Sequence, residues 1–412
     1  MYIRKRSFFE IFLPLMMLAF LGQGTQFINV THLQDIRFVL LFMVFIYFFL
    51  NKKIFAYIDN MTFIFFLLIY LLFCVSTAAW SEIPLLSFSK STAFLFAVIT
   101  LVSAGCAWVV KFGYRNSLEW ILPILMITLI SGIFGGRADD RIGDVMLYRG
   151  LSGNANNFGF LTAVVLPLIL WRCYCVKENK RALLFWVIFL ILDTRFLFSS
   201  FSRSSIVNFL CVILLFAISL PFSKKILISF AFIFSFGILL VMMPVSMLES
   251  IVMKHVVKGE AYAMQGQAVS DQILHSREDA WQQSFNNAMK GGMLGAGFSI
   301  SIDDTHYKIG TFYGREKGNS QLAILEETGV IGLLLSSFVT LLFFAYVFPY
   351  YMRFDGDEKV MLGLVLGSIC GLLAESFVEA WWDSLGPEVI CFWMLIGVVF
   401  GIIYLKKQGR LT

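Results

Sequence analysis

The stretch "STAFLFAVITLVSAGCAWVV" (residues 91–110) contains no charged side chain over its whole length. Because about 20 apolar residues in an α-helix span the hydrocarbon core of a bilayer, this stretch predicts a transmembrane helix. Similar apolar runs recur along the chain, in which hydrophobic residues make up 59% of the 412 positions and charged residues 14%. Soluble domains carry about 25% charged residues. The composition therefore indicates a polytopic membrane protein.

The apolar runs predict an all-α integral membrane protein with about 12 transmembrane helices. The boundaries of these spans fall near residues 8–24, 37–50, 61–79, 91–110, 117–134, 157–171, 182–198, 204–220, 226–244, 329–349, 359–378 and 387–405. One long non-membrane segment, residues 245–318, separates the ninth span from the tenth. We therefore expect residues 1–412 to form a single membrane domain whose long loop carries a short amphipathic helix.

Lys and Arg are unevenly distributed between the two sets of connecting segments. Eighteen of the 32 basic residues lie in segments on the same side as the N-terminus, and seven lie in the short segments on the other side. Since short cytoplasmic loops are enriched in Lys and Arg, both termini are predicted to be cytoplasmic and the long loop to face outward. The net charge of +5 follows from this bias and does not indicate nucleic acid as a partner.

Four polar stretches interrupt the apolar pattern on the predicted outer side. They are segment I, "RGLSGNANNFG" (149–159), segment II, "SSFSRSSIV" (199–207), segment III, "SREDAWQQSFNNAMKGGMLGAGFS" (276–299), and segment IV, "KGNSQLAILEETGVIG" (317–332). An arginine at the centre of a membrane helix costs about 2.5–3.5 kcal/mol on insertion scales and usually lines a cavity or pathway. Each arginine alone is also explained by snorkelling to the interface. Together, Arg149, Arg203 and Arg277 favour an anion site, because guanidinium groups bind phosphate oxygens bidentately.

Segment III predicts one amphipathic helix over residues 276–292. Its apolar stripe consists of Ala280, Trp281, Phe285 and Ala288. The stretch "GGMLGAGFS" (291–299), here called the glycine loop, contains too much glycine for a helix interior and suits a tight turn.

Segment IV places Asn319, Gln321, Glu326 and Glu327 directly before an apolar run. Burial near the membrane edge raises the pKa of a carboxylate toward the range that is useful for a general base. The alternative is a water-facing helix start that is capped by Asn319 or Ser320, with Gly329 allowing close packing.

Motifs of the common soluble enzyme classes are absent from the sequence, including the phosphate-binding loop, the nucleophile elbow, the zinc-protease motif and the dinucleotide fingerprint. Acidic pairs occur at residues 139–140 and 303–304, and we interpret both as solvated turns rather than metal ligands. None of the seven cysteines lies in the long loop, so no disulfide framework is expected. The sequence therefore predicts neither a metal nor a cofactor.

In this order, the four segments resemble those of the O-antigen ligase and polymerase superfamily of bacterial envelope glycosyltransferases. Segment I resembles the Arg-x-x-Gly…Asn-x-Asn element of that family, and segment II resembles its Ser-Arg-Ser helix start. Segment III resembles its Arg-x-x-x-Trp…Gly-x-Gly element, and segment IV resembles its His-Asn…Glu-x-Gly-x-x-Gly element. The resemblance covers roughly residues 130–345.

The resemblance implies an inner-membrane enzyme that transfers glycan from undecaprenyl pyrophosphate to an acceptor hydroxyl on the periplasmic side. It further implies inversion at the anomeric carbon without a metal, and membrane lipid, a chain-length regulator and a flippase as partners. The implied catalytic residues are Arg203, Arg277, Glu278 and Glu326. The implied substrate-binding residues are Arg149, Asn154, Asn156, Asn157, Trp281, Asn319 and Gln321.

One position departs from the family pattern, because Gly318 stands where the ligases have a histidine. The base is then open among Glu278, Glu326, His275 and His306. This departure favours a polymerase over the ligase that transfers finished polymer to lipid A-core. A twelve-span transporter is the alternative of a different class. Its expected similar halves and long central inner loop are not evident in a chain whose longest loop follows the ninth span on the outer side.

Overall fold

The structure is a computed structural model that describes residues 8–22, 25, 36–142, 145–221, 281–301, 317–382 and 385–410, with the backbone alone for residues 136–142 and 145–147. Seven helical stretches within these ranges are long and apolar enough to cross a membrane. The chain is therefore a helical membrane protein, as its composition predicts.

Within the described residues, eleven helices correspond to predicted spans. They are α1 (Phe8–Leu21), α2 (Arg37–Leu50), α3 (Met61–Ser76), α4 (Pro84–Phe112), α5 (Leu122–Phe134), α6 (Ala155–Cys175), α7 (Lys180–Ser200), α8 (Arg203–Ser219), α9 (Ser320–Arg353), α10 (Gly356–Glu375) and α11 (Pro387–Lys407). The seven of membrane-spanning length are α3, α4, α5, α6, α7, α9 and α11, of which α3 and α5 are extended by 3₁₀ turns. The predicted ninth span (226–244) lies outside the described residues, so the total of twelve stays a prediction.

A β-hairpin between α5 and α6 departs from the purely helical expectation. Strands β1 (Gly136–Ile142) and β2 (Val145–Gly150) pair in antiparallel fashion. The acidic pair at residues 139–140 lies in β1, so its interpretation as a solvated turn was wrong. The polar sequence of β1 lacks the β-branched alternation that signals a strand, and only pairing with β2 satisfies its backbone. The Tyr148 hydroxyl donates to the Gly132 carbonyl (2.6 Å) and so ties β2 to α5.

Contacts sort the connecting segments into two groups at opposite ends of the helices. At one end, here called the ion-pair end, basic residues pair with acids from neighbouring segments: Lys111–Glu10, Arg115–Asp357, Arg172–Glu119, Lys406–Glu358 and Lys407–Asp59. The opposite end, here called the segment end, carries the described parts of all four polar segments. This grouping agrees with the alternation that the order of the spans predicts.

Glycines allow two pairs of helices to approach closely. Gly363, Gly367 and Gly371 recur at every fourth position of α10, a spacing that indicates one face for close packing, and α8 lies against that face: a Cβ added to Gly367 would lie 2.8 Å from the Val212 Cα. Between α4 and α11, a Cβ on Gly397 would overlap the backbone carbonyl of Val102. The bundle therefore leaves no room for a side chain at these crossings.

We predict that Gly397→Ala lowers the thermal stability of the detergent-purified protein. The added methyl group meets backbone that cannot rotate away, and overpacking of this kind costs about 1–3 kcal/mol. Val39→Ile is the matched control, because it also adds one methyl group but at a position of α2 that is 57% exposed. Equal melting temperatures for the two variants would show that the α4–α11 crossing is not close-packed.

Candidate functional site

The turn that follows α10 is the point where the segments meet; residues 375–381 are here called the α10 turn. Segment IV contacts it through three side chains. Gln321 Nε2 donates to Ser376 Oγ at 2.8 Å, and Asn319 Nδ2 donates to the Phe377 carbonyl at 2.9 Å. The Ser320 hydroxyl also donates to the backbone of this turn. Segment IV is thereby fixed to the end of α10.

Segments I and II reach the same turn through its glutamates. Asn156 Nδ2 of segment I lies 3.5 Å from Glu379 Oε1. Ser204 of segment II forms a hydrogen bond with Glu375, and Asn208, one residue beyond the segment, donates to Glu375 Oε2 at 3.3 Å. The Glu375 side chain is buried, so these bonds hold the start of α8 against the end of α10.

Segment II surrounds Arg203 with buried serines. Arg203 is the first residue of α8 and is partly buried. The hydroxyls of Ser202 and Ser205 lie 2.8 Å apart, and both residues are buried. A Cβ on Gly159 would lie 2.8 Å from Ser200 Oγ, so segments I and II are packed closely together.

Segment III contacts segment IV through the helix over residues 281–291. Trp281 Nε1 donates to the Gly318 carbonyl at 2.8 Å, and Ser284 Oγ donates to the Lys317 carbonyl at 2.9 Å. The predicted apolar stripe is wrong at Phe285, which is 52% exposed, whereas Ser284 is buried. The buried face is polar there because it packs against backbone carbonyls that need donors.

Helix α9 is broken at Gly329, whose φ of 67° and ψ of −170° are not helical. In an unbroken helix, the amides of residues 330 and 331 would donate to the carbonyls of residues 326 and 327. Gly329 is required here, because a left-handed φ is costly for other residues and a Cβ would overlap the Met293 carbonyl. The prediction that Gly329 allows close packing is confirmed.

The glycine loop supplies partners for the backbone groups that this break releases. It donates to the carbonyls of α9 and accepts from its amides in four hydrogen bonds: Ala296 N to Glu326 O (2.9 Å), Gly297 N to Glu327 O (2.9 Å), Val330 N to Gly292 O (3.2 Å) and Ile331 N to Met293 O (3.2 Å). The loop and the break are therefore complementary, as the glycine content of the loop requires.

A buried ion pair closes this arrangement. Lys317 and Glu327 are both buried and paired with each other. Glu327 Oε2 also accepts from the Ser299 amide (2.6 Å), and Lys90 Nζ of α4 donates to Ser299 Oγ (2.8 Å). A buried charge needs a partner of this kind. The Glu327 side chain therefore has a structural role, because it binds the end of the glycine loop.

The predicted catalytic residues are only partly described. Arg277 and Glu278 lie outside the described residues, as do His275 and His306. Glu326 is fully buried beneath the glycine loop, whereas Arg203 lies at the start of α8. The structure brings both to the segment end.

Two predicted binding residues have local structural roles. Asn154 Oδ1 accepts from the Asn157 amide at 2.7 Å and caps α6. Asn319 Oδ1 accepts from the Leu322 amide at 3.0 Å and caps α9, as the alternative interpretation of segment IV expected. Arg149, the first residue of segment I, lies in β2 directly before its last residue and is partly buried.

Sequence reasoning missed a glutamate cluster at the segment end. Glu375, Glu379 and Glu388 lie close enough for their charges to interact. Glu379 is partly exposed, so its carboxylate is able to meet a bound hydroxyl, whereas Glu375 is buried. No group of His, Cys, Asp or Glu among the described residues has an arrangement suited to a metal ion. In the sequence, the only indication of this cluster is that ionisable residues lie at the ends of two apolar spans.

The chain matches no protein-family model and no curated protein. Its function is therefore inferred from the four segments and from the way their side chains meet.

We predict that Gly329→Ala releases the glycine loop from α9. The left-handed φ and the overlap with Met293 together cost about 2 kcal/mol or more, which corresponds to amide exchange about 30-fold faster. Hydrogen exchange at residues 296, 297, 330 and 331 measures this release. Gly356→Ala serves as the control, because Gly356 also has a left-handed φ of 56° but nothing lies within 4 Å of the added methyl group. Unchanged exchange in Gly329→Ala would contradict the proposed complementarity.

Proposed function

We propose that this protein is a membrane glycosyltransferase that polymerises lipid-linked oligosaccharide repeat units. The donor glycan is carried on undecaprenyl pyrophosphate, and the acceptor is a sugar hydroxyl of a second repeat unit. The observation that carries the proposal is that polar segments from four distant parts of the chain meet at one end of the bundle, with Arg149 and Arg203 among them. The proposed setting is the inner membrane, with the segment end periplasmic and both termini cytoplasmic.

The start of α8 suits the pyrophosphate. A helix N-terminus carries a partial positive charge and free amides that bind anions. Ser202 makes no side-chain cap with the first turn of α8, and Arg203 adds a guanidinium at the same place. We assign pyrophosphate binding to Arg203 and Arg277, and sugar hydroxyls to the amides of Asn156 and Asn157.

In the proposed reaction, the acceptor oxygen attacks the anomeric carbon from the face opposite the pyrophosphate. The C–O bond to the pyrophosphate breaks as the new C–O bond forms, and the configuration inverts. The acceptor proton passes to a carboxylate, and the arginines stabilise the charge on the leaving group. We propose Glu379 as a further candidate for the proton acceptor in addition to Glu278, since Glu379 is partly exposed while Glu326 is buried.

The glycine that stands where the ligases have a histidine supports a polymerase. Gly318 has a φ of 64°, which favours glycine, and it is buried with its carbonyl bonded to Trp281. A histidine side chain at this position would have to adopt a strained backbone among packed neighbours. An acceptor group supplied from another position is more compatible with this geometry.

Deletion of the gene tests the proposal in a strain that makes O-antigen. Without a polymerase, lipid A-core should carry a single repeat unit, because the separate ligase still acts, and gel electrophoresis of lipopolysaccharide would show one short band. Bare core together with long polymer on undecaprenyl pyrophosphate would instead identify the ligase. Unchanged lipopolysaccharide with altered uptake of a solute would favour the transporter.

Replacing the proposed phosphate-binding arginines tests the mechanism. Arg203→Lys and Arg277→Lys should each lower polymer formation by about 30- to 1000-fold, because Lys keeps the charge but loses the bidentate fork, a loss of about 2–4 kcal/mol of transition-state stabilisation. Polymer length is measured after complementation, at matched protein levels in the membrane.

Arg195→Lys is the control, since Arg195 is exposed and lies in α7 outside the four segments. Near-normal polymer from Arg203→Lys and Arg277→Lys would mean that these arginines only snorkel to the interface.

A further inference from the structure

A cavity of about 290 Å³ lies at the ion-pair end, between α1, α2 and α4. This volume is close to the lower limit of about 300 Å³ for small-molecule sites. Its walls include Phe9 and Phe48, whose rings meet edge to face with centroids 5.4 Å apart. The cavity lies far from the four polar segments, at the opposite end of the helices, so the proposed reaction does not account for it.

Hydrogen-bond donors line this apolar cavity. Lys53, Tyr47 and Tyr57 all contribute to its wall, and each is partly buried. Among the described residues, no carboxylate pairs with Lys53, and no side-chain partner is present for either tyrosine hydroxyl. An ammonium and two hydroxyls beside one cavity are suited to an anion with several oxygens.

A second lysine at the cavity is already partly neutralised. Lys111 Nζ lies 2.9 Å from Glu10 Oε1 and also lies over the Phe9 ring. Among the described residues at the cavity, the charges of the two lysines and Glu10 sum to one net positive charge. This charge excludes a cation as the preferred occupant and requires only one compensating negative charge.

We propose that this cavity binds the head group of an anionic phospholipid. The phosphate would lie between Lys53 and the hydroxyls of Tyr47 and Tyr57, with the glycerol backbone against Phe9 and Phe48. Basic pockets between transmembrane helices at the cytoplasmic side bind such head groups, and tyrosines favour the depth of the lipid phosphates. The ion-pair end is also the end that the distribution of Lys and Arg predicts to be cytoplasmic. A free phosphate shares the charge but makes no use of the aromatic wall.

Native mass spectrometry of the detergent-purified protein, titrated with phosphatidylglycerol, tests this proposal. We expect one saturable first site, and weaker retention of the zwitterionic phosphatidylcholine. Lys53→Gln should weaken the first binding event about fivefold, the effect of one lysine at an anionic surface. Tyr47→Phe should weaken it about two- to tenfold through a lost hydrogen bond. Lys111 is left intact, because its ion pair with Glu10 contributes to the charge balance of the cavity.

Lys52→Gln is the matched control, since Lys52 is the exposed neighbour of Lys53 and does not line the cavity. It should bind phosphatidylglycerol as the wild-type protein does. Inorganic phosphate and glycerol phosphate, added at the lipid concentration, should not displace the lipid. Displacement by either anion, or equal binding by Lys53→Gln, Tyr47→Phe and Lys52→Gln, would overturn the proposal.

Discussion

The break in α9 at Gly329 is the constraint on which the segment end depends. Backbone amides and carbonyls in a membrane protein must find partners within the protein, and a broken helix leaves several of them without any. The glycine loop provides those partners on both sides of the break. The loop approaches α9 this closely because Gly295 has no Cβ, and an added Cβ would overlap the Glu327 backbone. The break and the loop therefore stabilise each other, and neither is expected to persist alone.

The remaining contacts follow from this junction. The buried pair of Lys317 and Glu327 holds the segment that leads into α9, and Trp281 fixes the next residue, Gly318. From there the start of α9 meets the α10 turn. The glycine face of α10 in turn brings α8 close enough for Asn208 to reach Glu375. A rigid path of backbone and buried polar contacts thus joins segments that lie far apart in the sequence.

The sequence predicted the helices well because twenty apolar residues have few alternatives in a bilayer. Every predicted span in the described ranges is a helix, and the glycine face of α10 packs as its spacing indicated. The hairpin was not predicted because the polar sequence of β1 does not by itself indicate a strand. Phe285 was placed on the wrong face because the surface beneath it consists of carbonyls rather than apolar side chains. Periodicity reports which side chains are apolar, but it does not report what lies opposite them.

The candidate site shows the same limit more clearly. Segments I to IV were found because polar residues stand out in an apolar chain, and they do meet at one end. The sequence alone did not indicate a role for Glu375 or Glu379. Their place in the site follows from contacts with Ser204 and Asn156, which lie more than a hundred residues away in the sequence.

The two ends also differ in how charge is balanced. At the ion-pair end, five basic side chains are paired with acids from other segments, whereas Lys53 lies at the cavity without a carboxylate partner among the described residues. At the segment end, Ser204, which directly follows Arg203 in α8, forms a hydrogen bond with buried Glu375. In a transfer to an acceptor hydroxyl, negative charge grows on the leaving group while a proton moves to a base. A guanidinium and carboxylates placed at the start of one helix and the end of its partner are the groups that such a separation of charge needs.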